Sequence, residues 1–209
     1  MPQARDLDRN LNQSTNCHEL PENFRVFSFV YIYGRNLGIY SREINLIGRL
    51  VMNKKIAIQD TYGERFQYCW GCGPKNEEGL HLKSYPTEDG KQVVAKVKPA
   101  KAFTGGVPNN LFGGMIAMIF DCHGTASAAF FKHKSKGLEL MEDTVIERFI
   151  TAHLEIDFKK PTPMDEEVEV VASLEELGDR KAIVNMVLTC KDEVRAKAKM
   201  VAVAVKDNM

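Results

Sequence analysis

The chain has 209 residues, 44% of them apolar and 27% charged, an ordinary balance for a globular protein of one or two domains. Its 28 Lys plus Arg match its 28 Asp plus Glu. That balance argues against a nucleic-acid binder driven by general basicity, though a local basic patch could still meet a phosphate-bearing ligand. Five cysteines, an odd number spread along the chain, do not read as the disulfide framework of a secreted protein. They predict reduced thiols and a cytoplasmic setting.

In chain order, the first residues mix both charges and lack a cleavage-site pattern. The longest apolar run near the N-terminus, "VFSFVYIY" from Val26 to Tyr33, is far shorter than the roughly 20 residues of a membrane-spanning helix. It is aromatic and β-branched, so it suits a strand, and no membrane partner is expected. Composition changes near Met52, where "MNKKIAIQDTYGERFQYCW" reads like the start of a bacterial open reading frame. Residues 1–51 are therefore expected to be an accessory or non-native extension, or an arm that packs on the domain. Residues 52–209 suffice for one complete domain.

Within that domain, Cys69 and Cys72 flank the tight stretch "CWGC". Tetrahedral zinc needs four ligands, no second Cys-x-x-Cys exists, and Cys122 and His123, adjacent on a helix, would diverge. No metal or other cofactor is expected, and the pair predicts a structural knuckle folded over the sheet. "LHLKSY" and "KQVVAKVKP" read as strands separated by the turn "PTEDG". A Gly-, Pro- and Asn-rich loop follows, and then an apolar segment from Gly113 to Lys134 long enough for about six helical turns. Being apolar nearly all round, it predicts a buried helix. Three more strands follow a polar loop. "TAHLEIDF" alternates, with Ala152, Leu154, Ile156 and Phe158 on one face and Thr151, His153, Glu155 and Asp157 on the other. "EEVEVVASLEE" and "KAIVNMVLTC" come next, and "EVRAKAKMVAVAV" closes the series. Short links late in the chain favour antiparallel pairing. The predicted class is α+β, a curved antiparallel sheet wrapped around one long central helix.

One residue stands out on that helix. Asp121 is a carboxylate inside the apolar run "GGMIAMIFDCHG", where an unpaired charge would cost several kcal/mol. His123, two residues on, points to a different helical face and reads as a packed or partner-contacting histidine.

Three motifs carry a family resemblance: "CWGCGPKNEEGL", "FGGMIAMIFDCHG" and "TAHLEIDFKKPTP", in this order and at this spacing. From about Tyr68 to Val205 the chain resembles the hotdog-fold thioesterase superfamily, particularly its PaaI-like branch. The resemblance implies a hotdog fold, an acyl-CoA substrate, and a homodimer or dimer of dimers with active sites between subunits. It departs at Phe112, where the family's frequent His-Gly-Gly has its histidine.

Under that resemblance the residues take roles. Asp121 would be the general base or nucleophile, with basicity raised by its apolar surroundings. Gly113 and Gly114 open the helix, so their free N–H groups and absent side chains could receive the thioester carbonyl. Thr151 falls where the family often has a hydroxyl that steadies the attacking water; strand propensity explains it equally well. Asn109 and Asn110 would cap the helix, shape a turn or polarise the carbonyl in place of the missing histidine, and Phe112 would line the acyl site. Lys159 and Lys160 are the first candidates for the CoA phosphates, with Arg148, Arg180 and Lys181 behind them. Two other functions fit the same fold. One is an acyl-CoA-binding sensor or chaperone without turnover. The other is an acyl-thioester hydratase or dehydratase, which would want a His–acid pair.

Overall fold

A computed structural model describes residues 55–205, all within the unit Lys55–Met209. The expectations for residues 1–51, for the strand at Val26 to Tyr33 and for a boundary at Met52 lie outside the described residues. Among the described residues, six strands and one α-helix form the scaffold: β1 (Ser84–Pro86), β2 (Gln92–Val97), α1 (Gly113–Ser135), β3 (Phe149–Phe158), β4 (Val168–Leu177), β5 (Lys181–Cys190) and β6 (Glu193–Ala204). The strands make one antiparallel sheet in the order β1-β2-β4-β5-β6-β3. Helix α1 packs on its concave face, so strand and helix bury each other's apolar sides.

The pattern of β5 shows why. Ala182, Val184, Met186 and Leu188 are buried, while Lys181 and Asn185 are exposed. Its partner β6 buries Ala196, Ala198, Met200, Ala202 and Ala204 in the same rhythm. Small alanines on β6 let the sheet approach the helix closely. Between these strands Lys191 and Asp192 both have positive φ, 53° and 58°, the backbone of a two-residue hairpin turn that matches strand twist.

Helix α1 ends where its sequence says it should. Lys132, His133 and Lys134 occupy the last turn, favourable at the negative end of the dipole. Gly137, with φ 74°, then takes the left-handed position that stops the helix. By length and composition α1 could cross a bilayer, but 78% of its most apolar window is buried inside this fold. The helix is not covered all round. Gly113 and Gly114 are exposed, and Ala117, Met118 and Asp121 are half-buried. These residues share one stripe at helical spacing, so Asp121 sits on the open side of the helix and not in the core.

The start of the domain is irregular. Leu80 to Lys83, expected as strand, form no ladder, because their backbone turns back to the knuckle: Leu80 N–H donates to Trp70 O at 2.9 Å and Leu82 N–H to Gly71 O at 3.0 Å. The knuckle packs against α1 and not over the sheet. A β-carbon on Gly71 would fall 2.5 Å from both Cys122 Sγ and Met118 Sδ. Gly73 N–H closes the turn onto Cys69 O at 2.7 Å, and a β-carbon on Gly73 would meet Cys69 N and Gln67 O at 2.5 Å. These are backbone atoms that cannot swing aside. Gly73→Ala is therefore expected to lower stability by roughly 1–3 kcal/mol, read as a lower urea midpoint at unchanged m-value. An unshifted midpoint would show that the knuckle tolerates a side chain there.

Candidate active site

Asp121 and Thr151 meet. The Thr151 hydroxyl donates to Asp121 Oδ1 at 2.6 Å, joining the middle of α1 to the start of β3. Both residues are half-buried. Strict alternation along β3 would have turned Thr151 away from the side chains of Leu154 and Ile156. The structure puts all three on the helix side. The reason is a β-bulge: Thr151 pairs with Ala202 and His153 with Val201, which leaves Ala152 as an extra residue. One inserted residue inverts the parity of everything on one side of it. Phe149 and Thr151 before the bulge, and Leu154 and Ile156 after it, therefore share a face.

The pair has the chemistry of a water-activating site. A carboxylate that accepts one hydroxyl through Oδ1 keeps Oδ2 for a further donor. The Thr151 oxygen keeps lone pairs for the same molecule. The neighbouring Thr125 does not compete for the carboxylate, since its hydroxyl bonds the backbone carbonyls of Asp121 and Cys122 at 3.1 and 3.2 Å.

At the first turn of α1, Phe112 is the N-cap residue and no side chain caps the helix. Its carbonyl takes the N–H groups of Met115 and Ile116 at 3.0 and 3.4 Å. The N–H groups of Gly113 and Gly114 have no acceptor among the described residues. The two glycines differ in their surroundings. The space of a side chain on Gly114 is taken by the exposed Phe112 ring, which would have to swing aside to admit one. A β-carbon on Gly113 would meet only the ring of Phe158, at 3.6 Å, leaving that glycine open to an approaching group. Phe112 and Phe158 are themselves 46% and 53% exposed, an apolar rim beside this turn.

The asparagines serve the loop and not the helix end. Asn109 has φ 61° and its carbonyl accepts from Met164 N–H at 2.9 Å. Asn110 donates its side-chain amide to Pro108 O at 3.0 Å. Turn chemistry holds for both, capping for neither. Lys159 and Lys160 lie just past β3, paired with Asp157 and, at 3.2 Å, with Glu193 in exposed contacts. Lys181 pairs with Glu176 at 2.9 Å. Arg148 and Arg180 instead line a cleft of about 1230 Å³ with Arg65, His133 and Lys136. That cleft does not include Asp121, Gly113 or Thr151.

His123 is fully buried and faces away from the carboxylate. Its Nδ1 lies 2.9 Å from Ser84 Oγ and its Nε2 3.2 Å from Val93 O. Since a carbonyl only accepts, Nε2 carries the proton and Nδ1 accepts from Ser84. Ser84 in turn receives the Gln59 amide at 2.9 Å. Burial pushes the His123 pKa down to about 4, so the ring is neutral. The expectation of a packed histidine holds.

The knuckle thiols do not stand alone. Cys69, Cys72 and Cys122 bring their sulfurs within 4.8 Å of one another, and Cys69 Sγ lies 3.7 Å from Cys122 Sγ. Hydrogen bonding, first with Cys122 and then with Cys72, holds the Cys69 thiol far below the usual range, while hydrogen bonding with Cys69 and then Cys72 holds Cys122 far above it. The sequence sets Cys122 beside the diverging His123 and gives no sign that the fold brings it to the Cys69/Cys72 pair as a third member. The nearest thing to a signal was Cys122 itself, a cysteine one turn beyond Met118 on α1.

An antiparallel sheet wrapped around one long helix, with a carboxylate at mid-helix and glycines at its start, defines the hotdog class. Comparisons with known proteins agree. A family model described as the thioesterase superfamily matches residues 108–197. A thioesterase superfamily protein from Shewanella loihica PV-4 is 33% identical, over 68% of this chain and 98% of its own, with a TM-score of 0.51. The chain belongs to the thioesterase superfamily. Two more distant structures show the fold alone. One is another thioesterase superfamily protein, 19% identical over 86% of this chain and 90% of its own, with a TM-score of 0.52. The other is an uncharacterized protein from Pyrococcus horikoshii, 13% identical over 73% and 96%, with a TM-score of 0.50. Among curated proteins none matches.

Proposed function

We propose that this protein hydrolyses an acyl-CoA thioester to the free acid and CoA. The observation that carries the reading is the 2.6 Å bond from Thr151 to Asp121 on the open stripe of α1. Asp121 accepts a proton from a water that Thr151 helps to hold, and the water attacks the thioester carbon. The alternative is direct attack by the carboxylate, giving an acyl intermediate that water then cleaves. The oxygen that gains negative charge is stabilised by the free N–H of Gly113 at the positive end of the helix dipole. CoA leaves as a thiolate, whose modest basicity spares the site a dedicated acid.

Gly113 and Asp121 lie about 12 Å apart along the axis. A second copy of the chain, with its helix alongside, would set the first turn of one helix opposite the middle of the other. The edge strand β3 supplies the means of pairing. It has ten residues, ends the sheet, and exposes Ile150 at 42% and Phe158 at 53%. Light scattering is expected to report at least a dimer at micromolar concentration. A stable monomer would dismantle the intersubunit site. Lys159 and Lys160 flank the apolar rim at Phe158. Their exposed ion pairs are weak enough to exchange for CoA phosphates.

The hydratase reading finds no support in the histidines of α1. His123 is committed to Ser84 and Val93, and His133 to Glu139 O at 3.1 Å. A panel of acyl-CoAs tests the proposal, with free thiol and free acid measured together. Equimolar release of both from at least one member is expected. Tight binding without release would turn the reading toward a sensor or chaperone, and a hydrated or dehydrated thioester toward the other enzyme class.

A further inference from the structure

We infer that Cys69, Cys72 and Cys122 form a binding site for one thiophilic divalent cation, Zn²⁺ above all. The expectation of no metal rests on a missing second Cys-x-x-Cys and on Cys122 and His123 diverging on the helix, but the fold brings Cys122 alone to the knuckle pair as a third thiol. The spacing suits a metal better than a disulfide. A tetrahedral ion with zinc–sulfur bonds of about 2.3 Å sets neighbouring sulfurs about 3.8 Å apart. Cys69 and Cys122 stand at 3.7 Å. A disulfide would need about 2.05 Å, so the two sulfurs would have to move well together to form one.

Two further features belong to the same place. Gly71 lets the knuckle press on α1 so closely that Cys122 Sγ and Met118 Sδ both crowd the space where its side chain would stand. Zinc thiolate turns use backbone of this tight kind, and the Met118 thioether adds a soft donor to the wall. The second feature is charge. The Arg148 guanidinium lies over the Tyr62 ring, 4.5 Å from its centroid, near enough to the cluster for a negative charge on the sulfurs to act on it. Its Nη1 and the Tyr62 hydroxyl are buried without a hydrogen-bond partner among the described residues. A guanidinium with one nitrogen buried and unpaired has room for a counter-charge on that side. Three thiolates around a divalent ion leave one net negative charge, which Arg148 would balance. Cys72 and Cys122 are buried and Cys69 is half-exposed, so the ion enters, and takes its fourth ligand, from the Cys69 side.

The full chain, reduced and stripped with a chelator, is titrated with Co²⁺ as a coloured stand-in for Zn²⁺. Zinc in the protein as isolated is measured by elemental analysis. About one equivalent per chain is expected, with a thiolate-to-cobalt charge-transfer band and release of thiol protons on binding. Cys69→Ser, Cys72→Ser and Cys122→Ser should each lose at least tenfold in affinity. Cys190→Ser, whose thiol is outside the cluster, should lose nothing. Circular dichroism follows the fold of each variant. If all three serine variants unfold, the stoichiometry and charge-transfer band of the unmodified chain decide alone. Cobalt binding no stronger than that of a variant lacking all three thiols would overturn the site. So would loss of two thiols to a Cys69–Cys122 disulfide, under mild oxidant, in a protein that takes up no metal.

Discussion

Asp121→Asn is expected to lower kcat for thioester hydrolysis by roughly 10²–10⁴, the usual share of general base catalysis, while fold and acyl-CoA binding stay largely intact. Asparagine keeps the size of the side chain and its carbonyl still accepts the Thr151 hydroxyl, so the 2.6 Å contact between α1 and β3 survives. Only the charge is lost, and with it the capacity to take a proton or attack a carbonyl. Affinity should change little, because under the proposed function it rests on the CoA moiety and the acyl chain and not on the carboxylate charge. A purely architectural Asp121 would behave otherwise, with a lowered melting temperature and near-normal turnover per folded molecule. Thr151→Ala belongs beside it. That variant frees Oδ1 and removes the second hold on the water, so kcat should fall by a smaller factor with KM little changed. More than about a tenth of wild-type kcat in well-folded Asp121→Asn would remove the residue from the chemistry.

Acidification should destabilise the protein through His123, by about 3 kcal/mol between pH 6.5 and pH 4. The native ring resists protonation because it is buried, with Nε2 bound to Val93 O and Nδ1 facing Ser84, and its pKa falls from 6.5 to about 4. The unfolded chain binds a proton at His123 below pH 6.5 and the native chain does not. Stability is therefore fully present above pH 6.5 and is lost as pH falls toward 4. The groups around the ring are Ser84, Gln59 and the Val93 carbonyl, none of them charged. Urea midpoints for wild type and His123→Gln across this window provide the check. The slope contributed by His123 should vanish in the variant, whatever its absolute stability. Parallel curves for the two proteins would contradict the assignment.

Sequence pattern carried most of the scaffold, for reasons that are local. Gly-Gly at the start and a basic last turn before Gly137 bracket α1 to within one residue of the expected Lys134. The alternation in β5 and β6 is regular because both strands pair on two sides and bury one face. What was not legible came from contacts between segments distant in sequence. The bulge at Ala152 has no marker of its own, since no glycine or proline announces it, and it reversed the face of Thr151. Hydrogen bonds from the knuckle replaced the start of the expected first strand. The site shows the same division. Asp121 stands out as a carboxylate in an apolar run and Thr151 through the resemblance, but their bond is a product of the bulge. Asn109 and Asn110 looked like caps because they precede a helix, yet the intervening Leu111 and Phe112 leave them in the turn. Cys122 joined the knuckle thiols across 50 residues (Cys72 to Cys122), a distance that spacing rules for metal ligands do not span.

The hydrolytic role of the Asp121–Thr151 pair meets its most direct test in ¹⁸O-labelled water. Wild-type protein and Asp121→Asn are each given the acyl-CoA that binds best, and the free acid is weighed by mass spectrometry over multiple turnovers. Wild type should release the acid carrying one solvent oxygen, with an equal amount of free CoA, and Asp121→Asn should release almost none at the same occupancy. Labelled acid formed at equal rates by both proteins, or none formed by wild type from any bound acyl-CoA, would contradict it.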